Sequence, residues 1–389
     1  MIKRLKNIYH YLLAYFSNAL YGNPSKDLYV VGVTGTKGKS MTTELIATAL
    51  NACGKKTVII SSVHVVIGDR ETKNTTGNTM LGRGRMQKVL KSALREGCEA
   101  AVIEVSSQGI VQHRHEFIEW DAAVFTNLHP EHIESHGGFE KYREAKTDFF
   151  RYVASSPKEG KTFFINKEDE NSGYFEDAAG RNDKVFFKGA FLKANYAAAM
   201  AVAENIGCDP KVAEKALIDF KGLPGRVETV ISEPFKVVVD YAHTPGSLEE
   251  VYKWAALPLK IGGNDKRLIC VLGSAGGGRD VWKRPKMGEV AARYCDEIIV
   301  TNEDPYDEDP IAIMEEVAKG AEQSGKEVIR IVDRQEAIDK AVSSASEGDA
   351  VIITGKGSEP YMHLAKGKKL AWSDRGAVIR AMEDRNTLS

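Results

Sequence analysis

Hydrophobic positions along the chain follow two alternating patterns. Over residues 1–21, Leu5, Ile8, Tyr9, Leu12, Leu13, Phe16 and Leu20 recur at helical spacing with polar residues between them, which predicts an amphipathic helix. Gly22-Asn23-Pro24-Ser25 ends it. Residues 28–33 then read as a buried strand, followed by a glycine-rich turn and a helix over about 40–52. Short apolar, β-branched runs at 56–61, 100–105, 122–126 and 162–165 alternate with helical patterns. Such alternation predicts a parallel sheet covered on both faces. A break falls at Lys221-Gly222-Leu223-Pro224-Gly225, and strand-like runs resume at 235–240, 267–273, 297–301, 328–332 and 350–354. The expected architecture is α/β: an N-terminal helix (1–27), a central P-loop-like parallel-sheet domain (28–222) and a smaller Rossmann-like domain (223–389).

Length supports this division, since 389 residues exceed one ordinary core. Lys and Arg number 53 against 54 Asp and Glu, a net charge of −1. No long-range field gathers nucleic acid, so none is expected as a partner. The five cysteines are scattered, odd in number and without a C-x-x-C pair. They are read as neither a disulfide framework nor a zinc site, and as fitting a reducing, cytoplasmic compartment. No apolar run approaches the roughly 20 residues that span a bilayer. The N-terminal helix is too regularly amphipathic for a signal peptide. Two uses remain open for it: packing on its own protein or a second subunit, or docking on a membrane surface.

One stretch carries chemistry by its context. Val33-Thr34-Gly35-Thr36-Lys37-Gly38-Lys39-Ser40-Met41 follows a predicted strand and opens a predicted helix. Glycines let backbone N–H groups approach phosphate oxygens, and the helix N-terminus adds its dipole. Lys39 is placed to reach the β- and γ-phosphates, and the Ser40 hydroxyl to hold Mg²⁺. The general P-loop has a further Gly where Val33 stands.

That variant, T-G-T-x-G-K-[ST], is the form found in Mur ligases and their folylpolyglutamate synthase relatives. From about residue 28 onward the chain resembles Mur ligases, closest to the tripeptide-synthase (MurE) type. The resemblance implies an ATP-dependent amide ligase that adds meso-diaminopimelate or L-lysine to the D-glutamate of a UDP-N-acetylmuramoyl-dipeptide through an acyl-phosphate. It implies ATP and two Mg²⁺ ions, with Gly35, Thr36, Lys37, Gly38, Lys39, Ser40 and Met41 on the nucleotide. Asn195, Arg226 and the Asp240-Tyr241-Ala242-His243-Thr244-Pro245 segment would complete that site. Asn74-Thr75-Thr76-Gly77, Ser106, Ser107, Gln112 and Arg114 match positions that hold the muramoyl substrate. Ser40, Glu104, His132 and a carbamylated Lys146 match the metal ligands, Glu131 standing where Asp is usual. His129 and His136 match no zinc spacing and are read as solvated loop histidines.

For the incoming amino acid, the resemblance points to Arg279, Asp304, Tyr306, Gly355 and Glu359. Enzymes of this type that add diaminopimelate typically have D-N-P-R where Glu303-Asp304-Pro305-Tyr306 stands. Tyr306 offers no bidentate ion pair. Asp304 with Asp307, Glu308 and Asp309 is read as favouring a cationic acceptor such as lysine. About 27 residues precede the first strand, so the family's uridine-holding N-terminal domain is not expected here. Rival readings are a relative acting on a non-UDP substrate, of the folate or polypeptide-extending type, and an inactive nucleotide-binding regulator.

Overall fold

The computed structural model describes residues 2–76, 78–129, 136–189, 192–220, 222–261, 266–278 and 280–388. The chain divides into two compact units, Met1–Phe220 and Lys221–Ser389. In the first, strands β1 (Tyr29–Thr34), β2 (Thr57–Ile60), β3 (His64–Ile67), β4 (Arg70–Lys73), β5 (Ala100–Glu104), β6 (Ala122–Phe125), β7 (Thr162–Asn166) and β8 (Asp183–Phe187) form one sheet. Its order is β4-β3-β2-β5-β1-β6-β7-β8. The strands from β2 through β8 pair in parallel, as the apolar runs predict, whereas β3 and β4 add an antiparallel edge. The polar run Arg70-Glu71-Thr72-Lys73 is exposed along its length and carries no apolar strand pattern.

Register sets up the site. β1 lies between β5 and β6, with Val33 opposite Glu104 and Thr34 opposite Phe125. The carboxyl ends of three strands are therefore level, and the loops leaving them converge. Beneath, Trp120, Phe149, Phe150, Phe163 and Phe175 fill the core, and Phe125 stacks on Phe175 at 3.6 Å. Helix α1 (Ile2–Tyr21) fulfils the amphipathic expectation. Its Ala14 and Ser17 are buried, and Ser17 approaches Gly84 of helix α3 (Arg83–Arg95).

The second unit has strands β9 (Glu228–Ile231), β10 (Lys236–Asp240), β11 (Leu268–Leu272), β12 (Glu297–Val300), β13 (Ile329–Arg330) and β14 (Ala350–Thr354). They run in the order β13-β12-β11-β14-β10-β9, parallel except for β9. Asp240 lies opposite Thr354 and Leu272 opposite Val300, so this sheet also ends evenly.

The cysteine reading is corrected. Cys53 pairs with Cys208 and Cys270 with Cys295, at Cα separations of 5.6 and 6.0 Å, while Cys98 is free and buried. Partners 155 residues apart leave no spacing signal, because tertiary packing alone brings them together. No helix among the described residues is long and apolar enough to cross a membrane.

Two buried histidines of the first unit titrate in opposite directions. Burial opposes charge on His64, but its contacts to Glu44 (2.6 Å) and Glu71 (2.7 Å) outweigh that and raise its pKa. Burial, reinforced by His113, pushes His115 down to about 3. A histidine held neutral contributes stability above its unfolded value of 6.5, and this is lost as pH falls toward the folded value. Thermal unfolding of His115→Phe is accordingly expected to lose less stability than wild type between about pH 7 and about pH 5. Equal slopes for the two proteins would contradict it.

Candidate active site

A loop that presents backbone amides has to be held by its neighbours, and the first unit shows how. Gly38 takes a left-handed conformation (φ 78°) as the N-cap of helix α2 (Lys39–Ala52). A Cβ at Gly35 would collide with the Thr126 hydroxyl, and one at Gly38 would sit 2.6 Å from Asn195 Oδ1. Asn127, just after β6, grips the loop from both sides. Its backbone oxygen accepts from Thr36 N–H, its Oδ1 accepts from Lys37 N–H, and its Nδ2 donates to Lys37 O, all at 2.8–3.0 Å. Thr36 Oγ1 contacts Tyr142 Oη at 3.1 Å, and Lys39 Nζ folds back onto Thr36 O at 2.8 Å.

Two predicted metal ligands meet at this loop. Ser40 Oγ donates to Glu104 Oε2 at 2.9 Å and lies 3.0 Å from Ser62 Oγ, while Ser62 N–H donates to the same carboxylate oxygen. Lys146, on the helix Phe139–Ala154, is 1% exposed, and its Nζ donates to Gly35 O at 2.6 Å. Glu104, Ser40 and Lys146 are thus gathered around one loop from three elements. Glu131 and His132 lie outside the described residues. Asn195 is nearly buried and accepts from Thr42 Oγ1 at 3.0 Å, so it buttresses the loop and α2. The Met41 side chain is buried in α2.

The predicted muramoyl-contacting residues border the same sheet edge. Ser106 caps the short helix α4 (Ser107–Val111), accepting from Gly109 N–H. Ser107 Oγ is 3.0 Å from His136 Nε2, so His136 is half-buried against a predicted substrate serine, unlike the exposed His129. Thr75 is exposed, and Thr76 Oγ1 donates to Asn74 Oδ1 at 2.7 Å; Gly77 lies outside the described residues. Arg114 donates to Gln112 Oε1, Asn78 Oδ1 and Met80 O, all neutral acceptors. Arg83, which carries no motif, donates to Gln112 O, and its pKa is lowered by burial and, further, by the nearby Arg114. Two guanidiniums sharing neutral acceptors leave positive potential for an anion.

In the second unit, Asp240 accepts from Val227 and Ala242 N–H, each at 2.7 Å. Burial raises its pKa against the pull of Arg226 and those two bonds. Arg226 lies over the Tyr241 ring at 4.2 Å, and His243 Nδ1 is 2.9 Å from Tyr241 O. Tyr241 Oη donates to Glu359 Oε1 at 3.1 Å. Lys356, fully buried, donates to both Asp304 oxygens (2.9 and 2.8 Å) and to Glu359 Oε2 (2.6 Å). Gly355 borders Glu303, whose pKa burial pushes up to about 7 despite Arg334 and Lys356. Arg279 lies outside the described residues.

These contacts narrow the charge argument about the acceptor. Asp304 is committed to Lys356 and to His363 N–H, Asp307 to Lys366 N–H, Glu308 to Arg284 and Gly278 N–H, and Asp309 to Ile311 N–H. Ion pairs compensate Asp304 and Glu308, whereas the exposed Asp307 and Asp309 accept only backbone N–H bonds, which fix their position and leave their charge. Tyr306 instead stacks on His363, ring centroids 5.2 Å apart.

Comparison with known proteins identifies the family. The Mur ligase middle domain matches residues 33–225, and the Mur ligase glutamate ligase domain matches 225–357. A UDP-N-acetylmuramoyl-L-alanyl-D-glutamate–2,6-diaminopimelate ligase of Geobacillus kaustophilus is 34% identical, over 96% of this chain and 82% of its own. A solved structure of a ligase with that name superposes with a TM-score of 0.66 at 28% identity, covering 92% of this chain and 79% of the other. The folylpolyglutamate synthase of Mycobacterium tuberculosis, solved with ADP and AMPPCP, shares the fold (TM-score 0.66, 17% identity, 88% and 92% covered).

Removing one partner of a buried ion pair strands the other. Lys356→Met is expected to lose about 3–5 kcal/mol in chemical denaturation, and Lys356→Met/Asp304→Asn to recover part of it. An additive double mutant would refute the coupling. A carboxyl with a raised folded pKa contributes stability below its unfolded value of 4.5 that disappears as pH climbs through about 7. Glu303→Gln should therefore match wild type near pH 4.5 and exceed it in thermal stability above pH 7; no such divergence would rule out the buried, near-neutral carboxyl.

Proposed function

Since the chain belongs to the Mur ligase family, we propose that it adds a diamino acid, meso-diaminopimelate or L-lysine, to the D-glutamate of a UDP-N-acetylmuramoyl-dipeptide. It is an ATP-dependent amide ligase, and its relatives bear the names of enzymes of peptidoglycan precursor synthesis. The observation that carries the reading is the convergence of Ser40, Glu104 and the Lys146 amine on one phosphate loop.

The proposed chemistry has two stages. A substrate carboxylate oxygen attacks the γ-phosphorus of ATP, the bond to the β-phosphate oxygen breaks, and ADP leaves. The amine then attacks the acyl-phosphate carbonyl; a C–N bond forms, phosphate departs and the amine proton passes to solvent. Loop amides and Lys39 stabilise the charge that spreads over the transferring phosphoryl group. Gln112 and Arg114, with Arg83 behind them, would orient the anionic substrate. Glu359, held between Tyr241 and Lys356, would accept hydrogen bonds from the amino acid's ammonium.

Ser40, Ser62 and Glu104 bring hydroxyl and carboxylate oxygens together within 3.0 Å of Ser40 Oγ, a donor set that suits a hard cation such as Mg²⁺. Magnesium there would neutralise phosphate charge. A second ion on His132 and carbamylated Lys146 is part of the proposal, and the place of Lys146 beside Gly35 favours it. Tyr306 offers an aromatic face and a hydroxyl where an arginine would grip a distal carboxylate, so lysine should be used at least as well as diaminopimelate.

The test is ADP and phosphate release with UDP-N-acetylmuramoyl-L-alanyl-D-glutamate and a panel of amino acids. Release should require both substrates, and Lys146→Ala should lower kcat by at least about 10²-fold. A ¹³C carbamate signal from labelled bicarbonate should appear in wild type and vanish in that variant. An active Lys146→Ala enzyme overturns the metal-ligand role. Strong preference for diaminopimelate overturns the acceptor choice alone.

A further inference from the structure

The outer face of α1 is apolar and bare. Tyr9, Leu13, Phe16 and Leu20 recur at three- and four-residue spacing and are 61%, 38%, 62% and 78% exposed. The helix carries no charged residue after Lys6. It is nonetheless held in place: Tyr11 and Tyr15 pack edge-on against Phe117 at 5.1 and 5.5 Å, and Ala14 and Ser17 are buried beneath. The stripe is presented in a fixed orientation over roughly 16 Å of helix.

Charge around this stripe is one-sided. α3, on which α1 packs, reads RGRMQKVLKSALR and has no carboxylate. Arg85, Lys88 and Arg95 are exposed on it. The first turns of α1 add Lys3, Arg4 and Lys6, again without an acidic residue. In a chain whose net charge is −1, two adjoining helices are therefore wholly basic and the remainder is acidic on balance.

We propose that α1 and α3 dock the protein on an anionic phospholipid surface. Aromatic and leucine side chains enter the headgroup–acyl boundary, and the basic residues lie over lipid phosphates. Charge complementarity selects this occupant. Self-association through the stripe would bring two wholly basic α3 helices toward each other, which like-charge repulsion opposes. One short amphipathic helix supports reversible, salt-sensitive binding rather than insertion. The opposite, packed side of α1 meets the segment bearing Gln112 and Arg114, where Tyr11 lies 6.3 Å from the His113 ring. The inference concerns a surface outside the ligase site and stands whether or not the proposed substrate is correct.

The full-length chain would be co-sedimented with vesicles of phosphatidylcholine alone and of phosphatidylcholine mixed with phosphatidylglycerol. At low salt the bound fraction should be about tenfold greater on the anionic vesicles and should fall as salt rises. Phe16→Ser/Leu20→Ser should abolish binding while leaving thermal unfolding and turnover of soluble substrate unchanged. Arg85→Gln/Lys88→Gln should weaken binding to anionic vesicles only. Absence of wild-type binding, equal binding to neutral vesicles, or unchanged binding by the Phe16/Leu20 variant overturns the proposal. A wild-type dimer that this variant converts to monomer, with no vesicle binding, replaces it with self-association.

Discussion

A phosphate-binding loop has to present some of its backbone amides to the ligand and keep its shape fixed, and those demands conflict. Its own side chains cannot brace it without filling the space the phosphates need. The molecule resolves this from outside. Thr126 and Asn127 clamp the loop from β6, Tyr142 touches Thr36 from a helix, and Asn195 fills the space under Gly38. Because β1, β5 and β6 end level, the same clamp delivers Glu104 to Ser40 and leaves the Lys146 amine on Gly35 O. The sheet register thus determines the site geometry, and the aromatic core beneath Phe149 and Trp120 keeps that register.

The second unit meets a different constraint. Its sheet edge gathers Glu303, Asp304, Arg334, Lys356 and Asp374 with little water to solvate them. Each charge survives there by pairing: Arg334 with Asp374 at 2.8 Å, Lys356 with Asp304 and Glu359. Glu303 is the member left poorly matched, with one carboxylate oxygen lacking a partner among the described residues, and its affinity for a proton rises accordingly.

Much of the fold was legible because buried parallel strands announce themselves. β1, β5, β11 and β14 are wholly or almost wholly buried runs of β-branched and small residues, and their boundaries fall within a residue or two of expectation. The exposed β4 and the half-exposed β8 gave no such signal. The meeting of candidate site residues was legible where motifs sit at strand ends and at the loop they face, as with Glu104 and Ser40. Arg83 was not, since an arginine opening a helix looks like any solvated charge until the fold turns it inward against Gln112. Nor were the disulfides, whose partners are joined only by tertiary packing.

The acidic run after Asn302 shows why residue type alone misleads. Asp304, Asp307, Glu308 and Asp309 look like a receptacle for a cation, yet Asp304 and Glu308 are ion-paired within the protein, and only Asp307 and Asp309, held by backbone amides, keep their charge. Arg114 shows the converse. It makes at least as many hydrogen bonds as those carboxylates, but its acceptors are amide and carbonyl oxygens that leave its charge uncompensated. A hydrogen bond to a neutral partner fixes a side chain's position without cancelling its field, whereas an ion pair does both. Position without cancellation suits the substrate-binding role proposed for Arg114, and it separates Gln112-held Arg114 from Asp304-held Lys356 although both are tightly bonded cations at a sheet edge.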